Sequence, residues 1–574
     1  MRNEAKALAD LHQVSYALPE DTGNDIRGHL IVYVEEVLLL LYRHVAWRML
    51  LPLPPGLSGP IFDSACKELR GVVGDDWVLT TDDRLASYAD PYSPGVADKY
   101  APSGAILPTS VEEIRSVLGI ANRYGLPLWT VSLGRNYAYG GAAPCLKGSM
   151  ILDLNRMRAI KVDAELAYAV VEPGVTYLDL YKFIQDNKYP LWIDCPDPGW
   201  GSVLGNTLEH GIGYTPYGDH AGHQCGMEVV LADGQVVRTG LGAMDGNPAW
   251  PLYKYSFGPS LDGLFMQSNF GVVSKIGVWL MPEPQTFSVV EMMFRREEDI
   301  APMIDALRVL RLDGTVPTAT IANWMRIAAG NTTRAEWYDG KGALPHEAVE
   351  RLIKGMGIGY WGMRFGLYGR EKILARKREA VEEAFSRIDG VEMTVATYVR
   401  GEKIAPEHGT LAGIPSVDLM PLNWLGGAGA HIECPLVVPM RGAEFHDLYQ
   451  RRTELFNNEG FDHYCGLTST TPRSFINTGS IIFDHNNAEQ CARARALGRT
   501  LIEDAHKRHL AGYRAHISEM DFVAAQFDFN DHAALRTYER LKDALDPGGV
   551  LSPGKQGIWP KALREAKDTG GRKP

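Results

Sequence analysis

From residue 105 onward the spacing of apolar residues switches repeatedly between the period of a strand and that of a helix. AILP reads as a short strand. TSVEEIRSVLGIANRYG opens with Thr109 three residues before Glu112, the spacing of a capping box, and places Ile114, Val117, Leu118 and Ala121 on one helical face. LPLWTVSLG is a second strand, and it runs into the loop RNYAYGGAAP. GSMILDL and AYAVVEPG are further strands, and TYLDLYKFIQDN is a helix capped by Thr176. Strands this short, unevenly interrupted by helices, predict an α+β fold rather than a clean alternating βαβ array.

A second texture begins near residue 286 and lasts to about 505. Helical segments such as EEDIAPMIDALRVLR and REKILARKREAVEEAF alternate there with strands such as GYWGMRFGLYG and SIIFDH. After residue 510 the Tyr- and Gly-rich text returns and ends in ALDPGGVLSPGKQGIWP. A chain of 574 residues exceeds what one core usually serves. The expected layout is therefore a first domain over 49–285, an insert over 286–509, and a return to the first domain over 510–574. Residues 1–48 read as an extension outside the domain, translated from upstream of a start at Met49, with a surface amphipathic helix as the alternative. Its segment HLIVYVEEVLLLLYRHVAWRMLLPLPPG is interrupted by Glu35, Glu36, Arg43 and Arg48, so it suits neither a membrane span nor a signal peptide.

A formal charge of −12 argues against nucleic acid as a partner. The seven cysteines are scattered without a CxxC pair, which suggests reduced thiols in a cytoplasmic protein. Gly357, Gly359 and Gly362 match the dinucleotide pattern GxGxxG, but a helix precedes them and a strand follows. Pyrophosphate binding needs the reverse order. SLGRNYAYGG, residues 132–141, follows a strand and can turn successive N–H groups toward an anion, or it is a plain loop. In CPDPGWGSVLGNTLEHGIGYTPYGDH, His220 and His223 lack the spacing of a metal site, and no metal is expected. In NWLGGAGAHIECPLVVP, nearly bare backbone delivers one histidine, His431. Either a backbone carbonyl satisfies that imidazole in a core, or something large and flat lies against the Gly/Ala run.

In chain order, SLGRNYAYGGAAP, PDPGWGSVLGNTLEHGIGYTPYGDH, GLFMQSNFGVVSKIGVWLMP, GAHIECP, GYRAH and DPGGVLSPGK resemble the vanillyl-alcohol oxidase and p-cresol methylhydroxylase family of flavoproteins, which includes eugenol oxidase. The resemblance covers residues 52–562. It implies a two-subdomain FAD-binding domain of the p-cresol methylhydroxylase type with an inserted α+β cap domain. It also implies oxidation of a small phenolic substrate substituted at the para position. Tyr139, Tyr513 and Arg514 match the phenolate-binding trio, Asp197 the active-site acid, and His431 the histidine that carries FAD covalently. Ser132, Gly134, Arg135, Asn136, Gly140, Gly141, Ser202, Gly205, Asn206, Glu209, Gly213, Tyr214 and Lys555 are the implied FAD-holding positions.

Four departures touch the substrate pocket. Tyr92 stands where vanillyl-alcohol oxidase has a histidine that assists attachment, and no histidine occurs between His44 and His210. Glu433 replaces an expected aromatic, Trp200 interrupts a loop that is usually all glycine, and PRSFINTG replaces a PR-x-M-H-H stretch. The implied activity is an oxidase of 4-alkylphenols and 4-hydroxybenzylic alcohols such as vanillyl alcohol, with O2 reduced to hydrogen peroxide. A dehydrogenase passing electrons to cytochrome c and a non-catalytic flavin-binding protein are the alternatives. No membrane partner is expected. The short link from Gly242 to Phe257 leads us to expect a homodimer.

Overall fold

The computed structural model describes residues 51–568, apart from residue 91, residues 94–98 and residues 419–421. The extension expected over residues 1–48 lies outside the described residues. Gly104–Ile106, Met150–Asp153 and Leu128–Val131 form a parallel sheet, with Val78–Leu79 antiparallel at one edge. Helices Gly59–Val73 and Val111–Tyr124 share its core, where Leu69, Ile114, Val117, Leu118, Leu128, Met150 and Leu152 are fully buried.

The helix expected after AILP spans Val111–Tyr124, and its cap lies one residue later than predicted. Ser110, not Thr109, accepts from the Glu113 amide, while the Glu113 carboxylate receives the Thr109 amide. Two overlapping spacings fit the sequence, Thr109–Glu112 and Ser110–Glu113. The second is the one used, with Ile114, Val117, Leu118 and Ala121 turned inward. Thr176 caps Tyr177–Asp186 as expected, in a full capping box with Asp179.

A five-stranded antiparallel sheet follows, in the order Ile160–Asp163, Tyr168–Val171, Val272–Trp279, Gln224–Val230 and Val236–Arg238. From Thr286 the chain builds a seven-stranded antiparallel sheet in the order Glu392–Val399, Thr286–Phe294, Trp361–Gly369, Thr320–Asn323, Gly466–Thr471, Ser474–Thr478 and Leu436–Pro439. Helices Ile300–Leu312, Glu371–Phe385 and Gly442–Asn458 bury their apolar faces in its core. Gly357 is the left-handed cap that ends helix His346–Met356, and strand Trp361–Gly369 follows. The GxGxxG text therefore closes a helix rather than opening one.

The C-terminal segment completes the first sheet. Leu551 bridges to Leu128 on the edge strand, with the Leu128 amide donating to Val550 O and the Ser552 amide to Leu128 O, both at 2.7 Å. A fully buried ion pair, Lys542–Asp546 at 2.7 Å, fixes this return. Lys542 Nζ also donates to Asn269 O and Leu551 O, and Asp546 accepts the Val550 and Leu551 amides. Breaking a buried pair from one side leaves the other charge uncompensated. Lys542→Met should therefore lower the unfolding free energy, measured by denaturant titration, by about 3–5 kcal/mol.

Candidate active site

A cavity of about 440 Å³ opens where the loop after Leu128–Val131, the segment around helix Val203–Leu208, strand Gly429–Glu433 and the C-terminal segment converge. Of the residues singled out in the sequence, Ser132, Gly134, Arg135, Asn136, Tyr139, Gly141, Asp197, Trp200, Ser202, Gly205, Asn206, Glu209, Tyr214, His431, Glu433, Tyr513, Arg514 and Lys555 line it. Gly140 and Gly213 do not. The Gly140 amide donates to Asp90 Oδ2 at 3.0 Å, and a Cβ there would press on Ile517. A Cβ on Gly213 would press on Asp194, whose carboxylate holds His220 Nε2 at 2.7 Å. Both glycines serve close packing behind the cavity wall.

Tyr139, more than 370 residues before Tyr513 and Arg514 in sequence, lines the cavity together with them. The Arg514 guanidinium lies 4.3 Å from the Tyr139 ring centroid and donates to Asn136 Oδ1 at 2.5 Å. Burial works against its charge, but Tyr139, Tyr513 and Glu209 more than offset that and raise its pKa. Burial also pushes the Tyr139 and Tyr513 phenols above their ordinary value, against the pull of Arg514. Both tyrosines thus stay protonated at neutral pH and can donate. Gln267 holds the Tyr513 carbonyl through Nε2 at 2.8 Å, from a left-handed backbone with φ of 45°.

Asp197 occupies another part of the wall. The Tyr214 hydroxyl donates to its Oδ2, and its Oδ1 is buried without a partner. Burial, then the Asp197 charge, raises the Tyr214 pKa well above the ordinary range. His431 stands beside Glu433, with Nε2 and Oε1 3.6 Å apart, and the Tyr92 ring lies 4.7 Å from its ring centroid. Its Nδ1 is buried without a partner. Burial lowers the His431 pKa despite the opposing pull of Glu433 and Asp90, so the imidazole is neutral. No backbone carbonyl satisfies that nitrogen among the described residues, so the core reading of His431 fails.

Does this wall suit FAD? Asp197 Oδ1, Trp200 Nε1, Asn269 Oδ1 and His431 Nδ1 are buried polar atoms of cavity residues left without a partner. Such atoms are rare in folded proteins, and a cluster of them marks a place where a ligand completes the set. Gly134 and Gly141 turn through positive φ at the rim, where a side chain would meet Ala142 and Asp90. The residues therefore fit a large, flat, polar-edged group. Contributors that the sequence reading missed include Arg326, Gln267, Asp90, Asn269, Tyr464 and Thr478. Arg326 and Gln267 carried no signal beyond residue type. Asp90 sits two residues before Tyr92 and takes the Tyr92 amide at 3.0 Å.

Glu209 and Lys555 form an ion pair of 2.6 Å at the base of the cavity. Burial raises the Glu209 pKa, but Lys555 and Arg514 outweigh it and hold the carboxyl below its ordinary value. A depressed folded pKa adds stability above the unfolded value, near about 4.3, and that stability vanishes as pH falls through the folded value. The gap in melting temperature between wild type and Lys555→Met should thus be widest above about pH 5 and close in acid.

Comparison with known proteins identifies the family. A protein-family model described as FAD binding domain matches residues 102–240. The 4-cresol dehydrogenase [hydroxylating] flavoprotein subunit of Pseudomonas putida is 35% identical over 513 residues, covering 88% of this chain and 97% of that protein. The structure of 4-ethylphenol oxidase from Gulosibacter chungangensis in complex with isoeugenol superposes with a TM-score of 0.85 at 34% identity, over 89% of this chain and all of that one. That of p-cresol methylhydroxylase with substrate bound gives 0.83 at 33% identity, over 88% and 99% of the two chains. The chain belongs to the vanillyl-alcohol oxidase and p-cresol methylhydroxylase family of FAD-dependent oxidoreductases, and it has that family's α+β FAD-binding fold.

Proposed function

We propose that this enzyme is an oxidase of 4-alkylphenols and 4-hydroxybenzylic alcohols that takes a hydride from the benzylic carbon and delivers the electrons to O2 as hydrogen peroxide. One observation carries the reading: Arg514, Tyr139 and Tyr513 meet in a single cavity with Asp197 and His431. In this reading residues 49–285 and 510–574 bind FAD and residues 286–509 form the cap. Ser132–Gly141, Ser202, Gly205, Asn206, Glu209, Tyr214 and Lys555 would hold the cofactor, with Gly140 and Gly213 shaping the wall behind. When bound, FAD supplies the hydride acceptor.

The protein's own contribution begins with the phenol. Holding a phenol of ordinary pKa as phenolate at neutral pH requires about 3 units, or roughly 4 kcal/mol. Hydrogen bonds to a charged group contribute roughly 1.5–3 kcal/mol each. One guanidinium and two protonated tyrosines are therefore about sufficient, and a single tyrosine is not. The phenolate pushes electron density to the para carbon, which makes the benzylic C–H a hydride donor. The substrate left behind is a p-quinone methide, and Asp197 moves a proton when water adds to it.

His431 is the proposed site of covalent attachment. Its buried, neutral imidazole has one unpartnered nitrogen, and the Tyr92 ring packs against it at 4.7 Å between centroids. The histidine and the likeness to 4-ethylphenol oxidase favour O2 as acceptor. The similarity to the 4-cresol dehydrogenase flavoprotein subunit supports a second reading, with a cytochrome c as acceptor. An oxygen-electrode trace with 4-ethylphenol separates them, because peroxide formed in step with O2 uptake supports the oxidase. Reduction of cytochrome c without O2 uptake supports the dehydrogenase, and a flavin that 4-ethylphenol fails to bleach anaerobically leaves only a binding protein. A homodimer and a cytoplasmic location complete the proposal.

Arg514→Ala should cut kcat/KM for 4-ethylphenol at least about tenfold, since about 1.4 kcal/mol of lost transition-state stabilisation is tenfold. Acid-precipitated wild-type protein should stay yellow, and His431→Ala should release its FAD to the supernatant.

A further inference from the structure

The cavity is also lined by a second buried guanidinium, Arg326, which is not among the groups that set the Arg514 charge. Arg326 sits in helix Trp324–Ala329, where Asn323 caps its amide at 3.1 Å. Its guanidinium donates to Thr478 Oγ1 at 3.2 Å and lies 5.8 Å from the Tyr464 ring centroid. Gly466 makes room for it, since a Cβ there would fall 1.8 Å from Nη1. Burial opposes the charge, but Tyr464, Tyr214, Asp197 and Glu433 hold it in place. Neither carboxylate is its ion-pair partner among the described residues: Asp197 bonds Tyr214, and Glu433 bonds Ser480 and faces His431. A guanidinium has five N–H donors. Thr478 takes one, which leaves others for the cavity that Arg326 lines.

The surroundings of Arg326 therefore offer both donors and acceptors. The donors are Arg326 and the Tyr464 hydroxyl, whose pKa burial raises. The acceptors are the unpartnered Asp197 Oδ1 and Glu433. One positive charge faces two negative ones, so a substrate carboxylate would deepen an existing excess in a poorly solvated space. An apolar tail would leave the donors and acceptors unmatched. A neutral hydroxyl can accept from Arg326 and donate to a carboxylate.

We propose that Arg326, Tyr464 and Thr478, with Asp197 and Glu433 opposite, form a subsite for a neutral hydroxyl on the para side chain. Phenols with an alcohol-bearing side chain are then preferred to 4-alkylphenols of equal length. The inference rests on the phenol-binding reading for the placement of the ring, but not on oxidation.

Dithionite-reduced holoenzyme cannot turn over, so its affinities can be measured anaerobically by calorimetry. The ligands are 4-propylphenol, 4-(3-hydroxypropyl)phenol and 3-(4-hydroxyphenyl)propanoate. The alcohol should bind at least about tenfold more tightly than the alkyl compound, and more tightly than the carboxylate. Arg326→Met should shrink the alcohol-to-alkyl ratio at least about fivefold, and Thr478→Val should shrink it too if the Met variant fails to load flavin. Equal affinity for alcohol and alkyl, a preference for the carboxylate, or a ratio that survives Arg326→Met would overturn the subsite. Loss of the oxidase reading is a distinct result. Oxidised enzyme that 4-propylphenol does not bleach, but whose reduced form keeps the Arg326-dependent preference, retains the subsite and loses the activity.

Discussion

A guanidinium drawn into a protein is tolerated only where its charge and its donors are matched, and the Arg514 environment is organised around that constraint. Asn136 takes one donor, the Tyr139 ring faces the cation, and Tyr513 and Glu209 supply the compensating field. Glu209 is itself tied to Lys555. The arrangement leaves a positive site bordered by two phenols that burial keeps protonated. Such a site favours an anion over its neutral conjugate acid. In the proposed reading a phenol entering it is offered a lower pKa, and its para alkyl group becomes a hydride donor.

The topology exists to bring those groups together. Asn136 and Tyr139 leave an early strand, whereas Tyr513 and Arg514 come from the returning C-terminal segment. That return is anchored by the Leu128–Leu551 bridge and the buried Lys542–Asp546 pair. Gln267 adds a local clamp on the Tyr513 backbone. Residues further along the chain also line the cavity: His431 and Glu433 on one short strand, and Arg326, Tyr464 and Thr478 around the seven-stranded sheet. One charged pole thus comes from each part of the chain.

Much of this was legible in the sequence because the signals were local. Thr176 marked a helix start, and the glycine loop after LPLWTV, which could have been an anion-facing turn or a plain loop, lines the cavity. The order of elements around Gly357 was enough to dismiss a dinucleotide fingerprint. The start at Ser110 was missed because two capping spacings overlap, and the choice depends on which register buries Ile114 and Leu118. Gly140 and Gly213 looked like cavity residues but serve packing, since a sequence cannot say what a missing Cβ avoids. Arg326 was invisible for a different reason. Its role comes from Gly466 and Thr478, which lie over a hundred residues away.

The central claim is that these groups ionise the phenol before the benzylic hydride leaves. It is tested most directly by mixing the oxidised enzyme anaerobically with 4-propylphenol and with its O-methyl ether. The ether keeps the shape and the benzylic hydrogens but has no proton to lose. Losing roughly 4 kcal/mol of phenolate advantage should slow flavin bleaching by about a thousandfold. Bleaching of the ether at a rate close to that of the free phenol would contradict the account.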